Sequence, residues 1–412
     1  MRTKRFFTVT AALLLAAGVI SAQPAQTPGT VSGTAGEISP SARTKQWSLT
    51  DCIGYALQQN IQVRKSAVSV SLGEISLQQA KDNMLPSLSG SMGENFGWRL
   101  DDGGTDESSW VGSSRTTASL SSGLTLFSGF QLRNRVRLAG LDYKSTQYSA
   151  DQTKESVSLN IMSAYLQVLY SQEQVTNTRN QADATREELA LAAERLSLGA
   201  IANTDYLQVK TQLASDESSL ASAVNNLKMA KLNLMQLMEY PVDESFEILR
   251  PDIDAIISTA PAADAVSVYQ DALEVKPQVK IAAINRESAT IDLEIARGAF
   301  FPSLSLSAGL STGFAEAAEI GSQLKNGFSP SLGLSASIPI FRNNQNKASV
   351  SRARYGITTA ELDELNTRNQ LRKEVEQAVL DAESALLSYQ AALNRYDSSV
   401  ENYNVSEEKF KL

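Results

Sequence analysis

The sequence contains one long stretch twice, and this duplication constrains the fold more than any other feature. Residues 56–93 and 272–309 align without a gap, at a constant numbering offset of 216. Each copy carries apolar residues at helical spacing, reaches a proline, and then alternates between apolar and small polar residues. Because proline disfavours helical backbone angles at the preceding residue, Leu85 and Phe301 are predicted helix boundaries. The sequence therefore predicts two structural repeats, each with a helix that passes directly into a β-strand.

Four segments alternate in this way, two after each proline. The predicted β-hairpins cover residues 86–127 and 302–340, and each encloses a polar loop. The segments are about 10–12 residues long, close to the length of a tilted membrane-spanning strand. One face is apolar, and the other consists almost entirely of Ser, Gly and Thr. The residues predicted to face lipid are Leu120, Leu124, Leu304, Leu306, Leu332 and Leu334.

Two environments fit this alternation. A Ser- and Gly-rich face suits the wall of a water-filled lumen, with the apolar face against lipid. A soluble sheet with one wet face gives a similar pattern, although its outward face usually carries Lys, Glu and Asp. The strand pattern alone does not separate the two.

The start of the chain favours the membrane. Residues 1–22 have the basic start, short apolar run and small residues of a cleaved signal peptide, and residues 23–46 have the composition of a flexible leader. A short membrane anchor is the alternative for residues 1–22. No other run reaches 18 apolar residues, so the mature chain is either soluble or crosses a membrane as strands.

Composition excludes several functional classes. The net charge of -8 does not fit a nucleic-acid-binding surface. The chain has no histidine, the commonest general base and zinc ligand, and it lacks a phosphate-binding glycine loop or a nucleophile elbow. A single cysteine, Cys52, cannot form an internal disulfide. We therefore expect no enzyme, no metal, no cofactor and no nucleic-acid partner.

The first repeat is predicted over residues 47–240, and Thr50 or Asp51 is expected to cap its first helix. A long helical hairpin follows over 131–240, with Gly199 ending its first helix in the left-handed conformation and Asn203 or Thr204 capping the second. Two apolar seams on the first helix favour packing between two neighbours, as in a bundle or a closed ring, whereas a two-stranded coiled coil needs one. The seams are Val157, Ile161, Ala164, Val168 and Val175, and Leu159, Met162, Leu166 and Leu169.

The second repeat is predicted over residues 265–412, after an irregular link over 241–264 that contains prolines. It consists of a helix, the hairpin 302–340 and a long helix. At an offset of 214, its last residues align with the end of the first long helix. We expect this repeat to be truncated before its last helix.

Several short motifs occur in a characteristic order along residues 47–412, and in that order they resemble the TolC-like outer-membrane efflux protein (outer membrane factor) family. No single motif is specific, but their order, spacing and duplication together are. The motifs are Trp47-Ser48-Leu49-Thr50-Asp51, Ala56-Leu57, Pro86-Ser87-Leu88 and its copy Pro302-Ser303-Leu304, Leu126-Phe127-Ser128-Gly129 and its counterpart Ile340-Phe341, and Arg195-Leu196-Ser197-Leu198-Gly199-Ala200 followed by Thr204-Asp205.

The resemblance implies a mixed α and β fold. A barrel of long antiparallel helical hairpins continues into a transmembrane β-barrel, with four strands per subunit and two structural repeats in a homotrimer. The protein would be the outer-membrane exit duct of a tripartite efflux or type I secretion system, with a long periplasmic portion. Its partners would be a periplasmic adaptor (membrane fusion) protein, an inner-membrane transporter and outer-membrane lipid.

The resemblance also assigns functional residues. The adaptor is implied to dock at the hairpin tip formed by Arg195, Leu196, Gly199 and Ala200, and Asp205 matches a position that helps to close the periplasmic end. A helix-start aspartate favoured by the helix dipole is the alternative for Asp205. The alternative for the whole chain is a secreted periplasmic helical scaffold without a channel.

Overall fold

The computed structural model of the protein describes residues 46–101, 109–251, 264–315 and 327–411. All elements below belong to one compact unit, Gln46–Leu412. The predicted signal peptide and all of the predicted leader except Gln46 lie outside the described residues, as does half of the predicted link, residues 252–263. Within the described residues, no helix combines the length and apolar character needed to cross a membrane.

The elements of the two halves follow the same order. The first half contains β1 (Gln46–Trp47), α1 (Leu49–Gln59), α2 (Ile61–Asp82), β2 (Ser87–Asp101), β3 (Ser109–Ser128), α3 (Gln131–Ser197), α4 (Asn203–Met238) and β4 (Glu247–Ile248). The second half contains α5 (Ala265–Val275), α6 (Pro277–Gly298), β5 (Ser303–Ala315), β6 (Ser329–Ser337) and α7 (Gln345–Lys411).

The helices shared by the two repeats begin and end at equivalent positions, as the duplication in the sequence predicts. Helices α5 and α6 begin and end at the same offset of 216 from α1 and α2, and β5 begins at that offset from β2. After the strands the offset is 214, and α3 and α7 each contain 67 residues. Two structural repeats and four long strands in one chain are therefore confirmed.

The opening helix of the first repeat is broken at Asn60, where the apolar spacing predicts a continuous helix. The Asn60 backbone leaves the helical region (φ -58°, ψ 130°), and its side-chain oxygen accepts hydrogen bonds from the amides of Gln62 and Val63. Its amide group also donates to the carbonyl oxygen of Leu237 at 2.9 Å. Asn60 thus caps α2 and ties it to the end of α4, so tertiary contact and capping override the helical period.

The predicted cap of α1 is also corrected. Ser48, rather than Thr50 or Asp51, is the N-cap, and its hydroxyl accepts from the Asp51 amide at 3.1 Å. The Asp51 carboxylate accepts from the Ser48 amide at 3.3 Å, which completes a reciprocal capping box. Asp51 therefore takes part as the third helical residue.

Both helix-to-strand joints use the same short turn. Helices α2 and α6 end at Asp82 and Gly298, three residues before the predicted boundaries Leu85 and Phe301. The Leu85 amide donates to the Asp82 carbonyl at 2.8 Å, and the Phe301 amide donates to the Gly298 carbonyl at 3.1 Å. The tightened turn satisfies carbonyl groups at the helix end before the proline redirects the chain.

The long strands form one antiparallel sheet in the order β2-β3-β5-β6. Strand β3 therefore pairs with its hairpin partner β2 and with β5 of the other repeat. Within the described residues, β2 and β6 each have a single neighbour, so the sheet of one chain has two open edges.

A buried core holds α1, α3 and α4 together at the start of the chain. Trp47 packs edge-on against Tyr55 and Tyr240, with ring centroids 5.5 and 5.3 Å away, and β1 pairs in parallel with β4. The Tyr165 hydroxyl donates to backbone carbonyls at Trp47 and Leu249, and burial raises the pKa of Tyr165 to about 12. This core anchors both ends of the first repeat to the middle of α3.

The two seams of α3 have different environments. The seam of Val157, Ile161, Ala164, Val168 and Val175 is buried. In the second seam, Leu159 and Leu166 are more than half exposed, whereas Leu169 packs against the buried core. One chain therefore leaves an apolar stripe of α3 open.

Candidate functional site: an amphipathic sheet and an exposed helical tip

The strand registers bring all six leucines predicted to face lipid onto one face of the sheet. Leu120 pairs with Leu310, Leu124 with Leu306, and Leu304 with Ala336. Directly paired residues of an antiparallel sheet project to the same side, so the apolar positions of the four strands form one continuous surface. Leu332 and Leu334 complete it, and their side chains are 78% and 64% exposed. Among the described residues, nothing covers this apolar face.

The opposite face is rich in hydroxyl groups, and the pair Asn95 and Arg115 lies on it as well. Ser89 and Ser121 are paired with hydroxyl oxygens 2.8 Å apart, and Ser91 and Ser119 approach to 2.7 Å. In the second hairpin, Ser303 pairs with Ser337 and Ser305 with Ser335. These small hydroxyl side chains make the face hydrophilic and project only a short distance from the sheet.

Two features of the sheet depart from simple alternation. The register shifts between Thr125 and Phe127, so that Phe127 pairs with Leu304. Leu126 is the extra residue of the bulge, and Phe127 takes the place on the apolar face that alternation assigns to Leu126. Glu94 also lies on the apolar face, where its carboxylate accepts a hydrogen bond from the Thr116 hydroxyl. The even spacing of Glu94 from Met92 and Phe96 was the available sequence signal.

The four predicted tip residues occupy one turn at the far end of α3. Gly199 has a φ of 71°, which confirms the predicted left-handed helix end. Its amide donates to the Leu196 carbonyl at 2.9 Å, and the Ala200 amide donates to the Arg195 carbonyl at 2.8 Å. This paired arrangement is a Schellman motif. Leu198 at its apex is 76% exposed, and no atom lies within 4 Å of a side chain added at Gly199.

Asp205 lies in the first turn of α4, beside this tip, with its side chain exposed. The N-cap is Ala202, which makes no side-chain hydrogen bond, so the predicted capping by Asn203 or Thr204 is wrong. No side chain caps this helix, so the negative Asp205 carboxylate in the first turn is the group that stabilises the positive end of the helix dipole.

The strand-to-helix joints have an unusual backbone that the sequence reasoning did not find. Gly129 and Phe130 both have positive φ values, 61° and 64°, and so do Asn343 and Asn344 at the offset of 214. Gly129 also touches the end of α6, since a side-chain carbon at Gly129 would lie 2.2 Å from the Gly298 carbonyl oxygen. The motif Leu126-Phe127-Ser128-Gly129 indicates a turn. The residue that Gly129 approaches is Gly298 in the other repeat, and nothing in the sequence near Gly129 predicts that contact.

Two carboxyl groups face each other between α3 and α6. Burial, and then the charge of Asp292, raises the pKa of the Asp142 carboxyl above its usual range. Burial likewise raises the pKa of the Asp292 carboxyl. Among the described residues, no group of three or more acidic or cysteine side chains is arranged to hold a metal ion.

A profile of the family described as "Outer membrane efflux protein" matches residues 52–238 and 268–411, which is most of the chain. The chain belongs to the outer membrane efflux protein family. The resemblance derived from the motifs is thereby confirmed.

Individual relatives are distant in sequence. The chain is 22% identical over 269 residues to "Toxin and drug export protein A" of Aggregatibacter actinomycetemcomitans; the match covers 65% of this chain and 57% of that protein. Its fold is similar to the Campylobacter jejuni CmeC outer membrane channel, with a TM-score of 0.72 at 18% identity over 88% of this chain and 76% of that one. A membrane protein from Pseudomonas aeruginosa gives 0.73 at 18% identity, over 88% and 82%. The chain thus has the fold of the TolC-like channels.

Proposed function

We propose that this protein is the outer-membrane exit duct of a tripartite efflux or type I secretion system. It acts as a passive conduit without catalysis, reaches the outer membrane through a cleaved signal peptide, and extends α3, α4 and α7 into the periplasm. The observation that carries the proposal is the sheet, which has an uncovered apolar face, a hydroxyl face and two open edges among the described residues. Export is also what the name of the curated relative describes.

Closure of the sheet requires further copies of the chain, and membership of the efflux protein family supports a homotrimer. Edge strands in lipid leave backbone groups unsatisfied, and bacterial barrels begin at eight strands, so the four strands of one chain cannot span a bilayer alone. Pairing of β6 with β2 of another copy removes both edges. The exposed seam of α3, with Leu159 and Leu166, gives a second apolar surface for a neighbouring subunit to cover.

A matched pair of substitutions tests the orientation of the sheet. Leu334→Arg places a charge on the apolar face and should cost about 2–4 kcal/mol near the bilayer midplane. Ser335→Arg, on the hydroxyl face of the same strand, should be tolerated. The measurement is the fraction of protein that stays in membranes after a carbonate wash. Equal losses for the two variants would refute the orientation, and release of the wild-type protein would support a periplasmic scaffold.

We propose the tip of α3 as the docking site for a periplasmic adaptor, coupled to an inner-membrane transporter that supplies energy and selects cargo. Leu196 and Leu198 lie within an exposed turn that has no core of its own, and Gly199 and Ala200 leave space for close approach. Ala200→Glu should abolish export and adaptor crosslinking while trimer yield is unchanged. A trimer yield that falls in step with export would assign the tip to packing between subunits.

Asp205 is proposed to help close the periplasmic end. Its exposed carboxylate sits beside the tip, where charges of neighbouring subunits can meet it. Asp205→Ala should raise single-channel conductance in planar bilayers, whereas Glu188→Ala, an exposed acidic control on α3, should leave it unchanged. Equal conductance for both variants and the wild type would leave Asp205 with only its helix-start role.

A further inference from the structure

A groove lies where α3 begins and α6 ends, next to the strand-to-helix joint. It has a volume of about 390 Å³, and its walls include Phe130, Arg133, Arg137, Glu294, Arg297 and Phe301. Arg137 is 3.0 Å from the Glu294 carboxylate. Within the described residues, the guanidinium groups of Arg133 and Arg297 have no hydrogen-bonding or ion-pair partner. The groove therefore holds two uncompensated guanidinium groups in a chain whose net charge is -8.

An aromatic contact connects the groove to the apolar face of the sheet. Phe127 pairs with Leu304, which places it on that face. The Phe130 ring meets the Phe127 ring edge-on, with centroids 5.2 Å apart and planes at 87°. Phe130 in turn lines the groove together with Phe301, and both residues are about half exposed, at 58% and 51%. The apolar face thus continues through an aromatic border into the basic groove.

The backbone at Phe130 gives a second, independent observation. Phe130 is held at a φ of 64°, a conformation that bulky residues adopt rarely and at an energetic cost. The equivalent residue of the second repeat is Asn344, at a φ of 60°, and asparagine tolerates this region well. The first repeat therefore keeps an aromatic ring beside the groove where the local backbone favours a different residue. Such strain at an exposed position points to a function for the ring.

We propose that this groove binds the headgroup phosphate of an anionic phospholipid, and this inference rests on the proposed membrane function. Two guanidinium groups can each donate two parallel hydrogen bonds to phosphate oxygens. The exposed rings suit the boundary between hydrocarbon and headgroups, where aromatic side chains form a belt. The acyl chains lie along the apolar face above. The remaining positive charge selects an anionic headgroup over a zwitterionic one.

The experiment uses the full chain in nanodiscs of phosphatidylcholine and phosphatidylglycerol at a ratio of 4:1, and native mass spectrometry of the released protein counts the lipids that it retains. The wild type should retain phosphatidylglycerol well above its share of the bilayer. In the double variant Arg133→Gln with Arg297→Gln, the ratio of retained phosphatidylglycerol to retained phosphatidylcholine should fall at least about tenfold, the size typical of losing a charge-assisted hydrogen bond. Arg179→Gln, an exposed arginine farther along α3, should keep the wild-type ratio.

Phe130→Asn tests the ring without changing the charge. It installs the residue found in the second repeat and should lower the enrichment by less than the double arginine variant, with thermal stability unchanged or raised. Unchanged enrichment in the double arginine variant would overturn the proposal. If millimolar inorganic phosphate displaces the retained phosphatidylglycerol from the wild type, the groove binds free phosphate and the assignment to a lipid is wrong.

Membrane insertion is scored separately, by flotation with liposomes of phosphatidylcholine alone. The wild type and the double arginine variant should float equally, which leaves the channel proposal intact whatever the lipid counts show. Failure of the wild type to float would instead contradict the proposed function, and the lipid site would fall with it.

Discussion

At the scale of single residues, Gly129 and Gly298 allow the backbones at the start of α3 and the end of α6 to approach closely. A side-chain carbon at Gly129 would lie 2.2 Å from a backbone oxygen, and φ is 61°. Gly129→Ala should therefore lower the free energy of unfolding by at least about 2 kcal/mol, because left-handed strain alone costs about 1–2 kcal/mol. Gly199→Ala is the control: its φ is 71°, but its surroundings are empty. Equal losses in chemical denaturation would mean that the close approach contributes nothing.

The Asp142 carboxyl gives a residue-scale prediction about pH. Its pKa is raised in the folded state, so its contribution to stability is full below the unfolded pKa and is lost as pH rises through the folded pKa. Asp142→Asn removes a charge that burial disfavours at pH 7. We expect a higher melting temperature at pH 7 and a smaller difference in melting temperature between pH 4 and pH 7. Glu188→Gln, on the exposed surface of the same helix, should change neither.

At the scale of elements, a buried polar pair fixes the alignment of α3 with α4. The Thr185 hydroxyl donates to the Asp216 carboxylate at 2.7 Å, and the Gln212 amide donates to the other carboxylate oxygen at 2.8 Å. Thr185 is 3% exposed and Asp216 is 9% exposed. Since a helical hairpin with small apolar residues can slide by one turn, this polar layer favours a single register.

Removal of one member of this pair should be costly. Thr185→Val leaves a buried carboxylate oxygen short of a donor and should cost about 1–3 kcal/mol. Combining it with Asp216→Leu should recover part of that loss, because both polar groups are then absent. Thr211→Val, on the exposed face of α4, should stay within about 0.5 kcal/mol of the wild type. A double variant that is less stable than Thr185→Val alone would contradict this account of the pair.

Elements differ in how far their sequences determine them. The strands and their faces were predictable because successive side chains of a strand point to opposite faces, so the apolar residues mark one face. Leu304 and Leu334 lie on the face that this alternation predicts. The break at Asn60 was not predictable, because the apolar spacing continues from α1 into α2. The hydrogen bond that helps to fix the break joins Asn60 to Leu237, which lies far away in the sequence. The groove was not predictable either, since Arg133 and Arg297 are brought together only by the joint. The turn at the tip was predictable because a Schellman motif depends only on neighbouring residues, here Arg195 to Ala200.

At the scale of the whole molecule, closure of the sheet between copies can be tested by disulfide formation. The buried Cys52 will not interfere with introduced cysteines. Ser89→Cys on β2 should form disulfides with one member of a series on β6, at Ser331, Gly333 or Ser335, because bonded cysteines need Cα atoms about 4.4–6.8 Å apart. The products in non-reducing gels should be dimers and trimers.

The matched control places the second cysteine at Ser305 on β5, which is enclosed by two neighbours in its own chain. Combined with Ser89→Cys it should give no linked species. Crosslinked monomers from the β2 and β6 pairs would mean that the sheet closes within one chain, and the trimer would then be wrong.

The uninterrupted 67 residues of α3 also give the molecule a mechanical property. At about 1.5 Å per residue, the helix runs about 100 Å from the joint at Gly129 to the turn at Gly199. A lever of that length converts a tilt of one degree at its fulcrum into a shift of about 1.7 Å at its end. The close approach of Gly129 to Gly298 holds the near end of this lever, and the buried core around Tyr165 holds its middle. Small errors of angle at these two supports are therefore magnified at the turn around Gly199.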